Sequence, residues 1–150
     1  MPYLDNGPNY VHPFGANSAM RSTHGYQVES YSASAADFPS TDIDGAPEKI
    51  LWKGTILCKI TSGPEAGKVG PFQTDATDGR EDIANAVGVS HSFRPWQLNR
   101  GDIEVGAVYH GTFYLDRCLK YDDATSGAVP ITQADADELR GKTHIDLLFV

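Results

Sequence analysis

Two stretches of this chain leave little freedom in the choice of fold. In "ILWKGTILCKI", residues 50–60, the side chains alternate: Ile56, Cys58 and Ile60 fall on one face of a strand, and Leu57, Lys59 and Thr61 on the other. In "AVYHGTFYL", residues 107–115, Tyr109, Phe113 and Leu115 face one way and His110, Thr112 and Tyr114 the other. A period of two is a strand pattern and does not suit a helix. Gly111 inside the second run predicts a bulge or a close backbone approach. "ANAVGVS" adds a short apolar strand after the turn pair Asp78-Gly79, and "VPIT" and the terminal "HIDLLFV" supply two more. One short helix is predicted at "TQADADELRG", with Thr132 as its cap, Asp135 at the capping-box position and Gly141 at its end.

The expected fold is therefore mainly β with one short helix. This is a β-rich α+β arrangement of the small-barrel or sandwich kind, built from about 100 residues and marginal in core size. Preceding it, residues 1–48 read differently. They hold four aliphatic branched residues (Leu4, Val11, Val28 and Ile43), while glycine, proline, serine and asparagine make up 18 of the 48. Six acids against Arg21 give that segment a net charge of −5. Such a stretch buries too little apolar surface to offset its ordering entropy alone. Aromatic rings nevertheless recur along it: Tyr3, Tyr10, Phe14, Tyr26, Tyr31 and Phe38. Rings spaced along a polar, proline-punctuated chain read as anchors for a surface supplied elsewhere. The alternative is that they fold back onto their own domain. The expected division is an extended N-terminal arm over residues 1–48 and a compact β-rich domain over 49–150.

"GPEAGKVG", residues 63–70, has the look of a phosphate-binding loop. It is one residue short of the required spacing, Val69 stands where a hydroxyl must ligate magnesium, and Gly70-Pro71 blocks the helix that should follow. It reads as a connection between two strands. A net charge of −8 argues against sequence-independent nucleic-acid binding and against docking on an anionic membrane. No apolar run approaches the length of a membrane span. The opening "MPYLDNGPNY" has neither the basic region nor the apolar stretch of a signal peptide, so the expectation is a chain without a secretion signal. Cys58 and Cys118 then default to reduced thiols acting as small hydrophobes, with a disulfide between them left open.

Catalytic and metal chemistry find little purchase. His12, His24, His91, His110 and His144 lack zinc-ligand spacing, and no cofactor is expected. "TDATDG" lacks the alternating oxygens and distal glutamate of a calcium loop. "RGD", residues 100–102, reads as a turn. Trp52 and Trp96 read as packing residues, with Trp96 after Pro95 also a candidate for a subunit interface.

The order "WKGTILCKITSG", "GPFQ", "TDGREDIANAVGVS", "RGDIEVGAVYHGTFYL", then a helix and a last strand, resembles the bacteriophage lambda-type head decoration (capsid cement) proteins. The likeness spans about residues 50–150 as an arrangement of elements, and the long aromatic arm departs from the shortest members. The resemblance implies a non-enzymatic structural protein of the virion. It implies a homotrimer on the outer surface of the expanded capsid, near threefold sites, with the major capsid protein as partner. The arm would reach onto that partner, with Tyr10, Phe14, Tyr26, Tyr31 and Phe38 as its anchors and Trp96 at a trimer contact. A small tail or fibre adhesion module is the alternative, and a β-barrel enzyme or ligand-binding protein ranks behind both.

Overall fold

The computed structural model describes residues 19–43, 46–125, 127–142 and 145–150. Its strands are β1 (Met20–Ala33), β2 (Ser40–Ile43), β3 (Ala46–Lys49), β4 (Ile56–Lys59), β5 (Val69–Pro71), β6 (Ala86–Ser90), β7 (Ile103–Phe113), β8 (Leu119–Lys120), β9 (Val129–Pro130) and β10 (Asp146–Phe149). The expected helix is α1 (Gln133–Arg140), with short 3-10 turns elsewhere. The Thr132 hydroxyl accepts from the Asp135 N–H and the Asp135 carboxylate accepts from the Thr132 N–H, which completes the capping box.

The main sheet has the order β1-β5-β4-β6-β7-β10, and β1 also pairs with β7. Five strands therefore close into a small mixed barrel, with β10 added in parallel beside the C-terminal half of β7. Every barrel strand contributes to one apolar cluster: Ala33, Val69, Leu57, Val87 and Val105 with Ala107, plugged by Leu51, Leu98 and Phe38. That cluster fills the barrel. A second one lies on the outside of one wall, where Ile56, Cys58, Val89, Val108 and Phe113 are covered by Ala136 and Leu139 of α1 and by Leu147 and Phe149 of β10. β4 is thus buried on both faces: Leu57 points in and Ile56 and Cys58 point out, yet all are at 0 % exposure. Alternation located the strand but could not tell that both faces would be covered. The odd-numbered face of β7 matches expectation, with Phe113 buried and Tyr109 and Leu115 packed against the outer cluster.

The boundary at residue 48/49 is corrected. β1 runs antiparallel to β7 from Met20↔Phe113 to Ala33↔Ile103, and Ala33 also meets Val69 of β5. Without β1 the barrel has no fifth wall. The segment lacks aliphatics because its inward positions over the barrel are Tyr31 and Ala33, small or aromatic residues that suit a narrow interior. β1 is irregular where it passes residues 108–113 of β7, and Gly111 sits there. A Cβ on Gly111 would lie 3.2 Å from Val108 Cγ1, the close approach its glycine anticipates.

The loop 60–68 joins β4 to β5 as a strand connection, with Ile60 N–H donating to Lys68 O and Gly67 N–H to Ile60 O, both at 2.9 Å. The Asp78-Gly79 turn depends on its glycine twice over. Its φ is +106°, and a Cβ there would sit 2.3 Å from Thr61 Oγ1.

Candidate interaction surface

The most exposed large aromatic among the described residues is Trp96, at 47 %. It stands on the segment 91–100, which is fixed from both ends. Leu51 and Arg94 exchange two main-chain hydrogen bonds at 2.9 Å, and Leu98 is inserted into the barrel cluster at 1 % exposure. Asn99 Oδ1 accepts from Lys49 N–H at 2.8 Å while its amide donates to Glu48. With the backbone so held, side chains that do not point inward must point out. Phe93 stacks on Trp52 at 5.7 Å, and the Arg100 guanidinium lies 4.9 Å from the Trp96 ring centre, a cation–π pair. His91 packs against Tyr26 at 5.3 Å.

This surface is also chemically distinct. The sequence "HSFRPWQLNR" carries Arg94 and Arg100 and no carboxylate, and Lys53 follows Trp52 in the turn that precedes β4. On a chain of net charge −8, it is a local cationic and aromatic surface, with Glu48 at its edge on Asn99. Sequence reasoning singled out Trp96 but missed the surface as a unit. The signal available was ten residues without an acid in an acidic chain.

The other expected site residues are placed differently. Tyr10 and Phe14 lie outside the described residues. Phe38 is 3 % exposed inside the barrel cluster, Tyr31 packs half-buried against the same cluster, and Tyr26 packs half-buried against the outer one. Phe38 is thereby corrected from an arm anchor to a core residue, while Tyr26 and Tyr31 rest half-exposed against the core, where burial, with Glu29 beside it, raises the Tyr31 hydroxyl.

The groups with chemical potential are mostly held as structure. Buried Arg80 donates from Nε to both carboxylate oxygens of Asp78 at 3.0 and 3.1 Å, and from Nη1 to Asp37 O at 3.1 Å and Gln73 Oε1 at 3.3 Å. Gly70 makes room for it, since a Cβ there would meet Arg80 Cδ at 2.7 Å. Lys68, from the loop with the phosphate-binding look, is bonded at 2.5 Å to both Glu65 and Asp102. Hydrogen bonds to Asp102 and then Glu65 raise its ammonium, and the same bond, with one from the Ala35 N–H, lowers the Asp102 carboxyl. Both Asp102 oxygens are occupied, so the "RGD" turn ties the 60–68 loop to the chain after β1. Cys58 and Cys118 are free thiols at 0 % exposure, and burial pushes both far up, leaving them inert packing. Burial also pushes the Tyr121 hydroxyl up to about 12.

His110 Nδ1 lies 3.1 Å from Asp146 Oδ2 across the β7–β10 pair, beside an open concavity of about 220 Å³ lined by Gly111, Thr112 and Leu148. Asp146 is 81 % exposed, and among the described residues no hydroxyl or thiol hydrogen-bonds His110. The pair has no activated nucleophile. Among the described residues no three His, Cys, Asp or Glu side chains converge as a metal site requires, and no helix is long and apolar enough to cross a membrane. Compared with known proteins, the chain matches no family model and no curated sequence.

Proposed function

We propose that this chain is a head decoration protein that binds the outside of an expanded phage capsid as a trimer near threefold sites, with the major capsid protein as its partner. The observation that carries the reading is the exposed Trp96 ring held on a cationic segment of a closed barrel. The segments that resemble the decoration family include four consecutive walls of one barrel, β5, β4, β6 and β7, and the most exposed large aromatic among the described residues sits on a cationic segment fixed by main-chain hydrogen bonds. Such a molecule is suited to covering another surface, and we read it as non-enzymatic and located on the virion exterior.

The mechanism is linkage. A shell under internal pressure fails where neighbouring subunits separate. A protein that binds only the joined, expanded arrangement stabilises it by mass action. One contact per copy can be weak, because three on one trimer raise the effective concentration and slow dissociation by orders of magnitude. With Phe38 in the core, the contacts proposed from sequence are Tyr10 and Phe14, within residues 1–18, and the half-exposed Tyr26 and Tyr31.

Cosedimentation of the full chain with purified expanded heads that lack decoration tests this, followed by electron cryomicroscopy of the complex. Saturation at three copies per threefold site, and heads that then survive heating better, is the expected result. Heads left bare at saturating protein overturn it, and density on tails alone would favour the tail-module reading.

A further inference from the structure

We propose that the open edge of β10 is covered, in the isolated chain, by residues 9–12 of the same chain, added as one more strand with Tyr10 laid over Leu148. The contact precedes any attachment to a shell: the capsid reading places Tyr10 on the major capsid protein, and β10 holds it until then.

Among the described residues, β10 is the strand of the main sheet with a neighbour on one side only. The Val150 N–H donates to Phe113 O and Val150 O accepts from the Leu115 N–H, both at 2.9 Å, so Val150 aims its main-chain groups at β7, and Leu148, two residues back, does the same. Alternation turns the N–H and C=O of Leu147 and Phe149 the other way, onto the edge where no described strand pairs. The side chains divide too. Leu147 and Phe149 are buried in the cluster that α1 covers, while Leu148 and Val150 are 47 % and 48 % exposed. Leu148 lines the open concavity with His110, Thr112 and Asp146. An edge flanked by exposed leucine and valine is a template for another strand, and native chains cover such edges.

The start of the chain is within reach of that edge. Ala19 O accepts from the Tyr114 N–H at 2.8 Å, and Val150 bonds to Phe113 and Leu115 on either side of Tyr114, so Ala19 and Val150 flank the same end of β7. A strand beyond β10 stands three strand spacings from Ala19, about 14 Å. Six extended residues span about 20 Å, so residues 13–18 suffice to connect the two. Proline selects the strand itself. Pro8 and Pro13 enclose Asn9-Tyr10-Val11-His12, a proline-free run as long as the four residues of β10. The proline-free run before it, residues 3–7, ends in Asp5-Asn6-Gly7, which suits a turn. Tyrosine and valine are strand formers. A strand heading toward Ala19 runs parallel to β10, as β10 does to β7. With Tyr10 beside Leu148, its ring covers the exposed leucine, and Val11 on the opposite face extends the buried row of Leu147 and Phe149.

Amide hydrogen exchange followed by NMR on the full chain, with no heads present, provides the test. The Leu147 and Phe149 amides should exchange at least about tenfold faster in Val11→Pro than in wild type, because proline breaks the added strand in its middle. Tyr10→Asp should speed the same two amides. The Leu148 and Val150 amides face β7 and should not change in either variant, which also shows that the fold is kept. Asn6→Pro, outside the run, should leave all four as in wild type. Protection should survive about a hundredfold dilution, as a contact within one chain requires. Equal exchange of Leu147 and Phe149 in wild type and both run variants overturns the proposal. So does a gain in rate at all four amides, which is fraying of β10. Protection lost on dilution would put a second copy on the edge and overturn it as well. Heads play no part in the measurement, so its failure leaves the capsid reading standing, and heads left bare in cosedimentation leave this contact standing.

Discussion

Arg80 Nη1 donates to the main-chain carbonyl of Asp37 at 3.1 Å, and Nη2 lies 3.6 Å from the Asp37 carboxylate. This one side chain joins the turn after Asp78 to the segment that follows β1, across 43 residues of sequence. It is buried, as is Gln73 beside it, while Asp78 and Asp37 are half-buried. Arg80→Met should cost about 3–5 kcal/mol, because Asp78 and the Asp37 carbonyl would be left uncompensated. Urea unfolding of the two proteins measures the difference. A loss below about 1 kcal/mol, the level of a surface ion pair, would mean that Arg80 is solvated.

Truncation separates the two parts of the N-terminal third. Removal of residues 1–40 takes away β1 and opens the barrel, so that variant should show no cooperative unfolding transition. Removal of residues 1–18 leaves every described strand in place and should keep the transition while weakening attachment to heads. Circular dichroism on heating distinguishes the two. A cooperative transition in the shorter chain would place β1 outside the folding unit.

Phe38 and Trp96 are both large rings in polar surroundings of sequence, yet their substitutions should differ sharply. Phe38→Ala empties part of a closed barrel and should cost about 3–5 kcal/mol. Trp96→Ala removes a ring that is nearly half exposed and should change stability by less than about 0.5 kcal/mol. Equal costs for the two would contradict the burial assigned to them.

Asp135 predicts the shape of the acid limb. Burial acts to raise its carboxyl, but the bonds from the Thr132 N–H and hydroxyl and from Lys120 outweigh it and leave the folded value lowered. A lowered folded value means a contribution that is complete above the unfolded value of about 3.9 and is lost as pH falls through the folded one. Asp135→Asn should therefore reduce stability near neutrality and flatten its decline below about pH 4. Thr132→Ala should remove about 1 kcal/mol by uncapping the same helix. A parallel acid limb in Asp135→Asn would assign the pH dependence elsewhere.

The sequence by itself determined β4, β6, β7, β9, β10 and α1, whereas β5 and β8, three and two residues long, carry no periodic signal. The alternation in β4 and β7 and the capping box of α1 are local patterns, written in side chains two to four residues apart. Tertiary structure alone decided that β1 belongs to the barrel. Its inward residues are Tyr31 and Ala33, and alanine or tyrosine at alternate positions carries no periodic signal until β7 and β5 stand beside it. The same holds for the surface around Trp96. Spacing cannot tell a ring that plugs a barrel, as Phe38 does, from one that a fixed backbone turns outward. That choice is made by which space remains once Leu51, Leu57, Val69 and Leu98 have filled the interior.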